Sequence, residues 1–175
     1  MSTTETQRRN IECKAVDPDP ARSLEVCRSL GAKDHGFIRQ RDTYFNVGFG
    51  GLKLREETPG RPQLIQFERP ERPQQRQSRY RIIPIADADA LRAALEAALG
   101  VRGAVVKRRH LFLWRHVRIH LDEVTGLGSF IELEAVAPPE SDLSHEHRLV
   151  AELRDAFAIS DDRLCATGYA SQLGF

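Results

Sequence analysis

Charged side chains recur two residues apart at several places in the chain. The pairs are Glu12/Lys14, Lys53/Arg55, Arg79/Arg81, Lys107/Arg109 and Glu132/Glu134. Because side chains two apart on a β-strand share a face, each pair would present its two charges together. Lys and Arg bind phosphate oxygens, whereas clustered carboxylates bind Mg²⁺ or Mn²⁺ through hard oxygen ligands. A ligand that uses both sets is a polyphosphate accompanied by a divalent metal.

The acidic residues lie in the segment 118–136, RIHLDEVTGLGSFIELEAV, which predicts two strands joined by a glycine turn. Glu132 and Glu134 share one face of the second strand, and the apolar residues between them point the other way. Asp122 ends the first strand. His120 shares its face, and its predicted role is that of a structural hydrogen-bond partner.

The alternation of charged and apolar residues predicts an α+β protein with about eight strands. The predicted strands lie at 9–16, 40–45, 52–57, 64–69, 79–85 and 105–114, besides the two in 118–136. The predicted helices lie at 17–31, 87–99 and 142–157, and residues 71–77 are predicted as a loop. Short turns between most strands favour antiparallel pairing. We expect a single domain over residues 1–175, since neither a repeat nor a linker interrupts the chain.

The composition excludes several classes of function. The formal net charge of +1 is too small for a global field that gathers nucleic acid, and no apolar run is long enough to span a bilayer. The polar N-terminal segment has no signal-peptide pattern. The three cysteines are widely spaced and predict reduced thiols. We therefore expect a cytoplasmic protein without a nucleic-acid or membrane partner.

Two arrangements can explain the charged faces. In the first, an open antiparallel sheet exposes its polar face to water. In the second, the sheet closes into a barrel whose charged faces converge inside, while helices cover the apolar outside. The grouping of basic and acidic pairs on different strands, with few Ser or Thr among them, favours the barrel. Because unpaired buried charges are costly, such an interior must be wet or hold a highly charged ligand.

The order of these motifs resembles that of the CYTH domain family, the triphosphate tunnel metalloenzymes, which includes class IV adenylate cyclases and thiamine triphosphatases. The matching segments are 10–14 (NIECK), 41–45 (RDTYF), 52–55 (LKLR), 107–109 (KRR), 121–124 (LDEV), 126–128 (GLG) and 132–134 (ELE). Each motif alone is weak, but the full set in this order along nearly the whole chain is specific.

The resemblance implies a closed eight-stranded antiparallel β-barrel, or tunnel, with helices packed on the outside. It also implies that the tunnel holds a triphosphate with Mg²⁺ or Mn²⁺. The implied metal ligands are Glu12, Asp122, Glu132 and Glu134. The implied substrate-binding residues are Lys14, Arg41, Lys53, Arg55, Arg79, Arg81, Lys107 and Arg109. Among the latter, the predicted catalytic residues are Lys14, Arg55, Lys107 and Arg109, because this chemistry relies on positioning and electrostatic stabilisation.

The chain departs from the family pattern at two positions. Asn10 stands where the first motif Glu is expected, which keeps one oxygen ligand but removes a charge. Gln66 stands where some relatives place a Lys on the fourth strand, so one phosphate contact is expected either to be missing or to be supplied by another residue.

Three functions agree with these residues. The resemblance favours a class IV-like adenylate cyclase that converts ATP to cyclic AMP and pyrophosphate. The alternatives are a triphosphatase acting on tripolyphosphate, thiamine triphosphate or a nucleoside triphosphate, and a non-catalytic polyphosphate- or nucleotide-binding protein. A monomer and a homodimer are both compatible with the sequence.

Overall fold

A computed structural model describes residues 8–68 and 76–175, which form eight strands, four α-helices and a short 3-10 helix. In chain order these are β1 (Arg8–Val16), α1 (Pro20–Ser29), β2 (Lys33–Phe45), β3 (Gly51–Thr58), β4 (Gln63–Glu68), β5 (Arg76–Pro84), α2 (Ala88–Leu99), β6 (Val101–Trp114), β7 (Val117–Val124), β8 (Gly128–Ala137), α3 (Ser144–Ala156), the 3-10 helix (Asp161–Arg163) and α4 (Tyr169–Gln172). Of the predicted loop 71–77, residues 71–75 lie outside the described residues, and the last two belong to β5.

The strands close into one barrel in the order β1-β5-β4-β3-β2-β6-β7-β8, and each neighbouring pair is antiparallel. The long strands β2 and β6 pair over most of their length, with register shifts near both ends. Closure gives every strand a hydrogen-bonded neighbour on both sides, so the sheet has no open edge. The predicted α+β fold, a closed eight-stranded antiparallel barrel with helices outside, is confirmed.

The main apolar core lies outside the barrel rather than inside it. Outward residues of β1, β7 and β8, such as Ile11, Ile119 and Leu133, are fully buried against the helices. The helices α1 and α3 supply the other side of this core through residues such as Cys27 and Leu153. Because the apolar side chains point outward, the alternating charged side chains point into the barrel.

The two cysteines of this core, Cys13 and Cys27, are buried and form no disulfide. Burial raises the pKa of the Cys27 thiol to about 12, so it stays neutral in the apolar layer. No helix in the described ranges is long and apolar enough to cross a membrane.

A second, smaller cluster fills one end of the barrel. Tyr169 of α4 packs with Val105, Val124 and Phe130, whose parent strands begin or end at that level. The ring of Phe130 meets the ring of Tyr169 edge-on, with centroids 5.0 Å apart. The C-terminal segment therefore contacts the interior through Tyr169, and Phe175 packs against the ring of Tyr44 with centroids 5.9 Å apart.

The predicted glycine turn between β2 and β3 contains a position that tolerates no side chain. Gly50 has φ +66°, and a Cβ there would approach the backbone oxygen of Phe67 to 2.7 Å. Gly48, in the same turn, has open space around it.

We expect Gly50→Ala to lower the free energy of unfolding by about 1–3 kcal/mol, because the new methyl group clashes with backbone and the conformation is left-handed. Gly48→Ala is the matched control and should change it by less than about 0.5 kcal/mol. Urea unfolding of the two variants measures the difference. Equal stability of both would show that the turn is not held as described.

Candidate functional site

Two units of the same composition lie side by side inside the barrel, one on β2 and β3 and the other on the adjacent strands β6 and β7. In the first, Arg55 of β3 lies directly opposite Asp42 of β2 and donates from Nε and Nη2 to its two carboxylate oxygens, both at 2.7 Å. Lys53 donates to the same carboxylate at 2.8 Å. The arginine fork binds both oxygens of the carboxylate, which fixes the guanidinium in one orientation.

The second unit repeats this arrangement on β6 and β7. Arg109 lies directly opposite Asp122 and donates from Nε and Nη2 to its two oxygens, both at 2.6 Å. Lys107 lies 3.2 Å from the same carboxylate. We call the two sets the Asp42 unit (Asp42, Lys53, Arg55) and the Asp122 unit (Asp122, Lys107, Arg109).

Burial and charge shift the pKa values of both units. Burial alone would raise the pKa of Asp42, but the charges of Arg55 and Lys53 hold it well below its usual range. Burial and the neighbouring Arg55 lower the pKa of Lys53 to about 7, and burial with Arg109 lowers that of Lys107 to about 8. Near neutral pH the lysines are therefore poised between their neutral and cationic forms.

Carboxylates are concentrated on the neighbouring strands β1 and β8. In the register of these strands Glu12 lies opposite Glu134, and Lys14 lies opposite Glu132. Glu132 accepts from Arg109 at 2.6 Å and lies 3.4 Å from the ammonium of Lys14. Burial alone would raise the pKa of Glu132, but these two cations hold it well below its usual range. The structure thus places Glu12, Lys14, Glu132 and Glu134 inside the barrel, as predicted.

His120 lies in this wall and contacts both acidic side chains. Its Nδ1 is 3.4 Å from Glu132 and its Nε2 is 4.0 Å from Glu134. Burial and the charge of Arg109 lower its pKa. These contacts agree with the predicted role as a hydrogen-bond partner.

Asp122, a predicted metal ligand, accepts hydrogen bonds from three side chains inside the barrel. Its two oxygens already accept from Arg109, from Lys107 and from the hydroxyl of Tyr169, which is 2.9 Å away. Oδ2 accepts from three of these donors and Oδ1 from one, Arg109 Nε. Asp122 therefore orients the cations of its own unit. Sequence reasoning did not identify Tyr169 as a partner of Asp122.

Three predicted phosphate-binding arginines do not point into the tunnel. Arg41, Arg79 and Arg81 are exposed on the outer face of the barrel, so the prediction that they line the tunnel is wrong. The reason is the strand period of two: on β5 the inward residues are Ser78, Tyr80 and Ile82, and Arg81 binds Gln66 on the outside at 3.0 Å. Gln66 is therefore not a tunnel position, and its expected effect on phosphate binding is wrong as well.

The tunnel cavity has a volume of about 410 Å³. Besides charged residues, it is lined by uncharged side chains that the sequence reading assigned to no site. They are Ile38, Gln40, Tyr44, Gln63, Ile65, Phe67, Ser78, Tyr80, Ile82 and Leu111. Alternation along each strand could have placed them on the inner face once the register of β4 and β5 was known.

Donors suited to a hard divalent cation lie at the corner of β1 and β8. Asn10 is 3% exposed, its Nδ2 donates to Glu134 at 2.6 Å, and its Oδ1 is buried without a hydrogen-bond partner among the described residues. The carboxylates of Glu12 and Glu134 flank this amide. In the described ranges no three acidic, imidazole or thiol groups converge into a ligand set. The oxygen donors nonetheless fit Mg²⁺ or Mn²⁺ in chemical type.

The sequence profile of the CYTH domain matches residues 8–169, which is nearly the whole chain. The protein belongs to the CYTH domain family. A comparison with curated protein sequences finds no relative.

Several solved structures share the fold. PH1012 from Pyrococcus horikoshii is 19% identical, with a TM-score of 0.82 over 93% of this chain and 98% of that one. A candidate adenylate cyclase from Vibrio parahaemolyticus is 22% identical, with a TM-score of 0.80 over 97% and 100%. HpAC1 from Hippeastrum, a candidate adenylyl cyclase described as having a dominant triphosphatase activity, is 15% identical, with a TM-score of 0.63 over 87% and 88%. At these identities the likeness establishes the fold of this CYTH protein.

Asp42 is the acceptor on which the first unit depends, and its side chain is 3% exposed. We expect Asp42→Asn to lower the free energy of unfolding by about 3–5 kcal/mol, because it leaves Arg55 buried without a counter-charge. The exposed pair Arg115–Glu152 provides the control, and Glu152→Gln should cost less than about 1 kcal/mol. Chemical denaturation gives both values, and a small loss for Asp42→Asn would contradict a structural role for the pair.

Proposed function

We propose that this CYTH protein is a metal-dependent enzyme that acts on a triphosphate inside the tunnel, with adenylate cyclase chemistry as the leading activity. In that reaction the ribose 3′-hydroxyl of ATP attacks the α-phosphorus, and pyrophosphate leaves. The observation that supports it is the pair of Asp-anchored Lys/Arg units, which present Lys53, Arg55 and Arg109 to the tunnel cavity, with Lys107 buried beside Asp122.

The charge balance of the tunnel supports a divalent metal as part of the substrate complex. Among the described residues, seven cationic side chains stand against six carboxylates. The cations are Arg8, Lys14, Lys53, Arg55, Lys107, Arg109 and Arg118; the carboxylates are Glu12, Asp42, Glu57, Asp122, Glu132 and Glu134. A bound triphosphate would add a large negative excess in a poorly solvated cavity. A divalent cation held through Asn10, Glu12 and Glu134 would offset this excess.

The residues of the chain contribute mainly binding and orientation. We propose that Lys14, Lys53, Arg55, Lys107 and Arg109 hold phosphate oxygens, since Asp42 and Asp122 fix the two guanidiniums before substrate arrives. Mg²⁺ or Mn²⁺, when bound, supplies Lewis-acid stabilisation of the phosphate charge. Arg109 also holds Glu132, so phosphate must compete with that carboxylate for one of its donors.

Triphosphate hydrolysis is the second candidate. The same cations would hold the phosphate chain, and water rather than the ribose hydroxyl would attack the terminal phosphorus. The observation that favours this candidate is the shared fold with HpAC1, for which a dominant triphosphatase activity is described. A non-catalytic binding protein would not need the carboxylates on β1 and β8, because carboxylates repel phosphate unless metal intervenes.

Product identification separates the candidates. We expect incubation with ATP and Mg²⁺ or Mn²⁺ to give cyclic AMP and pyrophosphate, identified by mass spectrometry. Release of orthophosphate from ATP, thiamine triphosphate or tripolyphosphate would select hydrolysis instead. Metal-independent binding without turnover would refute the enzyme proposal.

We expect Glu134→Gln to reduce turnover on the order of 10- to 100-fold and to weaken Mn²⁺ binding, measured by electron paramagnetic resonance. Glu123→Gln is the matched control on the same hairpin, since Glu123 points outward and pairs with Arg108. Its activity and Mn²⁺ affinity should stay close to those of the unmodified protein. Equal effects of both substitutions would contradict the proposed metal corner.

The lowered lysine pKa values predict proton uptake on binding. At pH 8 Lys53, with a pKa of about 7, is mostly neutral, and Lys107 is about half protonated. Phosphate favours the ammonium form, so binding of tripolyphosphate should take up protons and weaken as pH rises from about 7 to 9. Calorimetry at pH 8 in Tris and in HEPES detects this uptake as a buffer-dependent binding enthalpy.

Lys53→Arg should reduce that buffer dependence, because arginine stays charged at every relevant pH. If the unmodified protein binds tripolyphosphate with the same enthalpy in both buffers, then the lysines are already fully charged and the proposed pH dependence is wrong.

A further inference from the structure

A cleft lies on the outside of the barrel, beside the start of α2. Its volume is about 800 Å³, and its floor is the outer surface of the sheet, since consecutive residues of β2, β3 and β6 line it. Ala88 of α2 also borders it, as do Thr125 and Gly126 of the turn between β7 and β8. The strands separate this cleft from the tunnel, so the proposed function does not use it.

Three arginines gather on the floor of the cleft. Arg39 and Arg41 are both exposed and lie two apart on β2, so their side chains share its outer face. In the register of β2 and β6, Arg39 lies directly opposite Arg108. Like charges in directly opposite positions destabilise a sheet. The three residues, which we call the outer arginines, therefore repel one another when no anion lies between them.

The carboxylates at the cleft do not neutralise Arg39 or Arg41. Two of them lie on the outer face and are bound by other arginines, in the pairs Glu56–Arg92, at 3.2 Å, and Glu123–Arg108, at 3.0 Å. A third, Glu57, accepts from Gln40 at 2.8 Å and lines the tunnel. In the part of the chain that the structure describes, neither Arg39 nor Arg41 has an ion-pair partner. Both guanidiniums are thus open to an external anion.

The spacing of the outer arginines and the size of the cleft favour a small ligand with several phosphate groups. A guanidinium binds two oxygens of one phosphate through its planar fork. Opposite residues and residues two apart on a sheet lie roughly 5–7 Å from each other, so one short phosphate chain can contact all three side chains. Thr58 and Thr125 add hydroxyl donors at the border.

The shape of the cleft distinguishes this ligand from an acidic protein segment. Small-molecule sites are concave and have volumes of roughly 300–1,000 Å³, whereas protein partners cover broad surfaces of about 800 Å² on each side. The volume of the cleft, about 800 Å³, lies in the range of small-molecule sites.

We propose that the outer arginines form a second anion site, which binds a short polyphosphate on the outside of the barrel. The site differs from the tunnel in its electrostatics. No carboxylate fixes Arg39 or Arg41 as Asp42 fixes Arg55, and both side chains are exposed. Binding at the outer site is therefore weaker than binding at a preorganised site, and it decreases as ionic strength rises.

Calorimetric titration with tripolyphosphate, at low ionic strength and without divalent metal, counts the bound ligands. We expect the double variant Arg39→Gln/Arg41→Gln to bind one equivalent fewer than the unmodified protein. The double variant Arg79→Gln/Arg81→Gln is the matched control, because these exposed arginines have the same spacing on β5 and lie outside the cleft. It removes the same two charges and should lose no equivalent.

Single substitutions decide the question if circular dichroism shows that a double variant does not fold. Arg39→Gln and Arg41→Gln should each weaken the outer site about fivefold, as expected for loss of one exposed charge-assisted contact. Arg81→Gln should leave the affinity of that site within about twofold of its original value.

The difference between the two double variants separates this proposal from the tunnel function. A single equivalent that disappears only in Arg39→Gln/Arg41→Gln would support the outer site and contradict phosphate binding in the tunnel. If both double variants bind as many ligands as the unmodified protein, or lose the same number, the outer site does not exist. Equal competition by a tetraglutamate peptide for the outer equivalent would show recognition of charge alone and would also overturn the proposal.

Discussion

The structure depends on two buried carboxylate–guanidinium pairs, Asp42 with Arg55 and Asp122 with Arg109. Each pair joins residues that lie directly opposite one another on neighbouring strands, so the pairing register and the ion pair enforce each other. Such pairs add little net stability compared with apolar packing, but loss of one partner is costly. Their value is that they hold cations ready inside a cavity. The carboxylates orient donors that would otherwise repel one another.

This arrangement requires charged side chains inside the barrel and apolar side chains on its outer face. The apolar core lies between the barrel and the helices α1 and α3, so folding can bury apolar surface without filling the tunnel. Closure of the sheet protects its edges and brings charges from distant strands together. The end near α4 is filled by Tyr169 and its neighbours, which ties the C-terminal segment to Asp122. The outer core thereby supports an interior that contributes binding rather than stability.

The sequence predicted the architecture because alternation has a period of two and the order of motifs is specific. It also placed Lys14, Lys53, Arg55, Lys107 and Arg109 inside the barrel. The prediction was wrong where neither face of a strand is consistently apolar, because the sequence then does not show which face points into the barrel. On β5 both faces carry polar and apolar residues, so Arg79 and Arg81 were assigned to the tunnel although Ser78, Tyr80 and Ile82 line it.

Cross-strand contacts could not be predicted from a single sequence either. Asp42 lies within a matched motif, yet its role depends on a register that places it opposite Arg55. The family resemblance implied a metal-binding role for Asp122, but its contacts with Arg109, Lys107 and Tyr169 depend on strand register and on the packing of α4. The most direct measurement is a crystal structure with a methylene-bridged ATP analogue and Mn²⁺. We predict phosphate oxygens in contact with both the Asp42 and Asp122 units, and an anomalous manganese signal beside Asn10, Glu12 and Glu134. A triphosphate bound outside the barrel, or inside it without contact to either unit, would contradict the account.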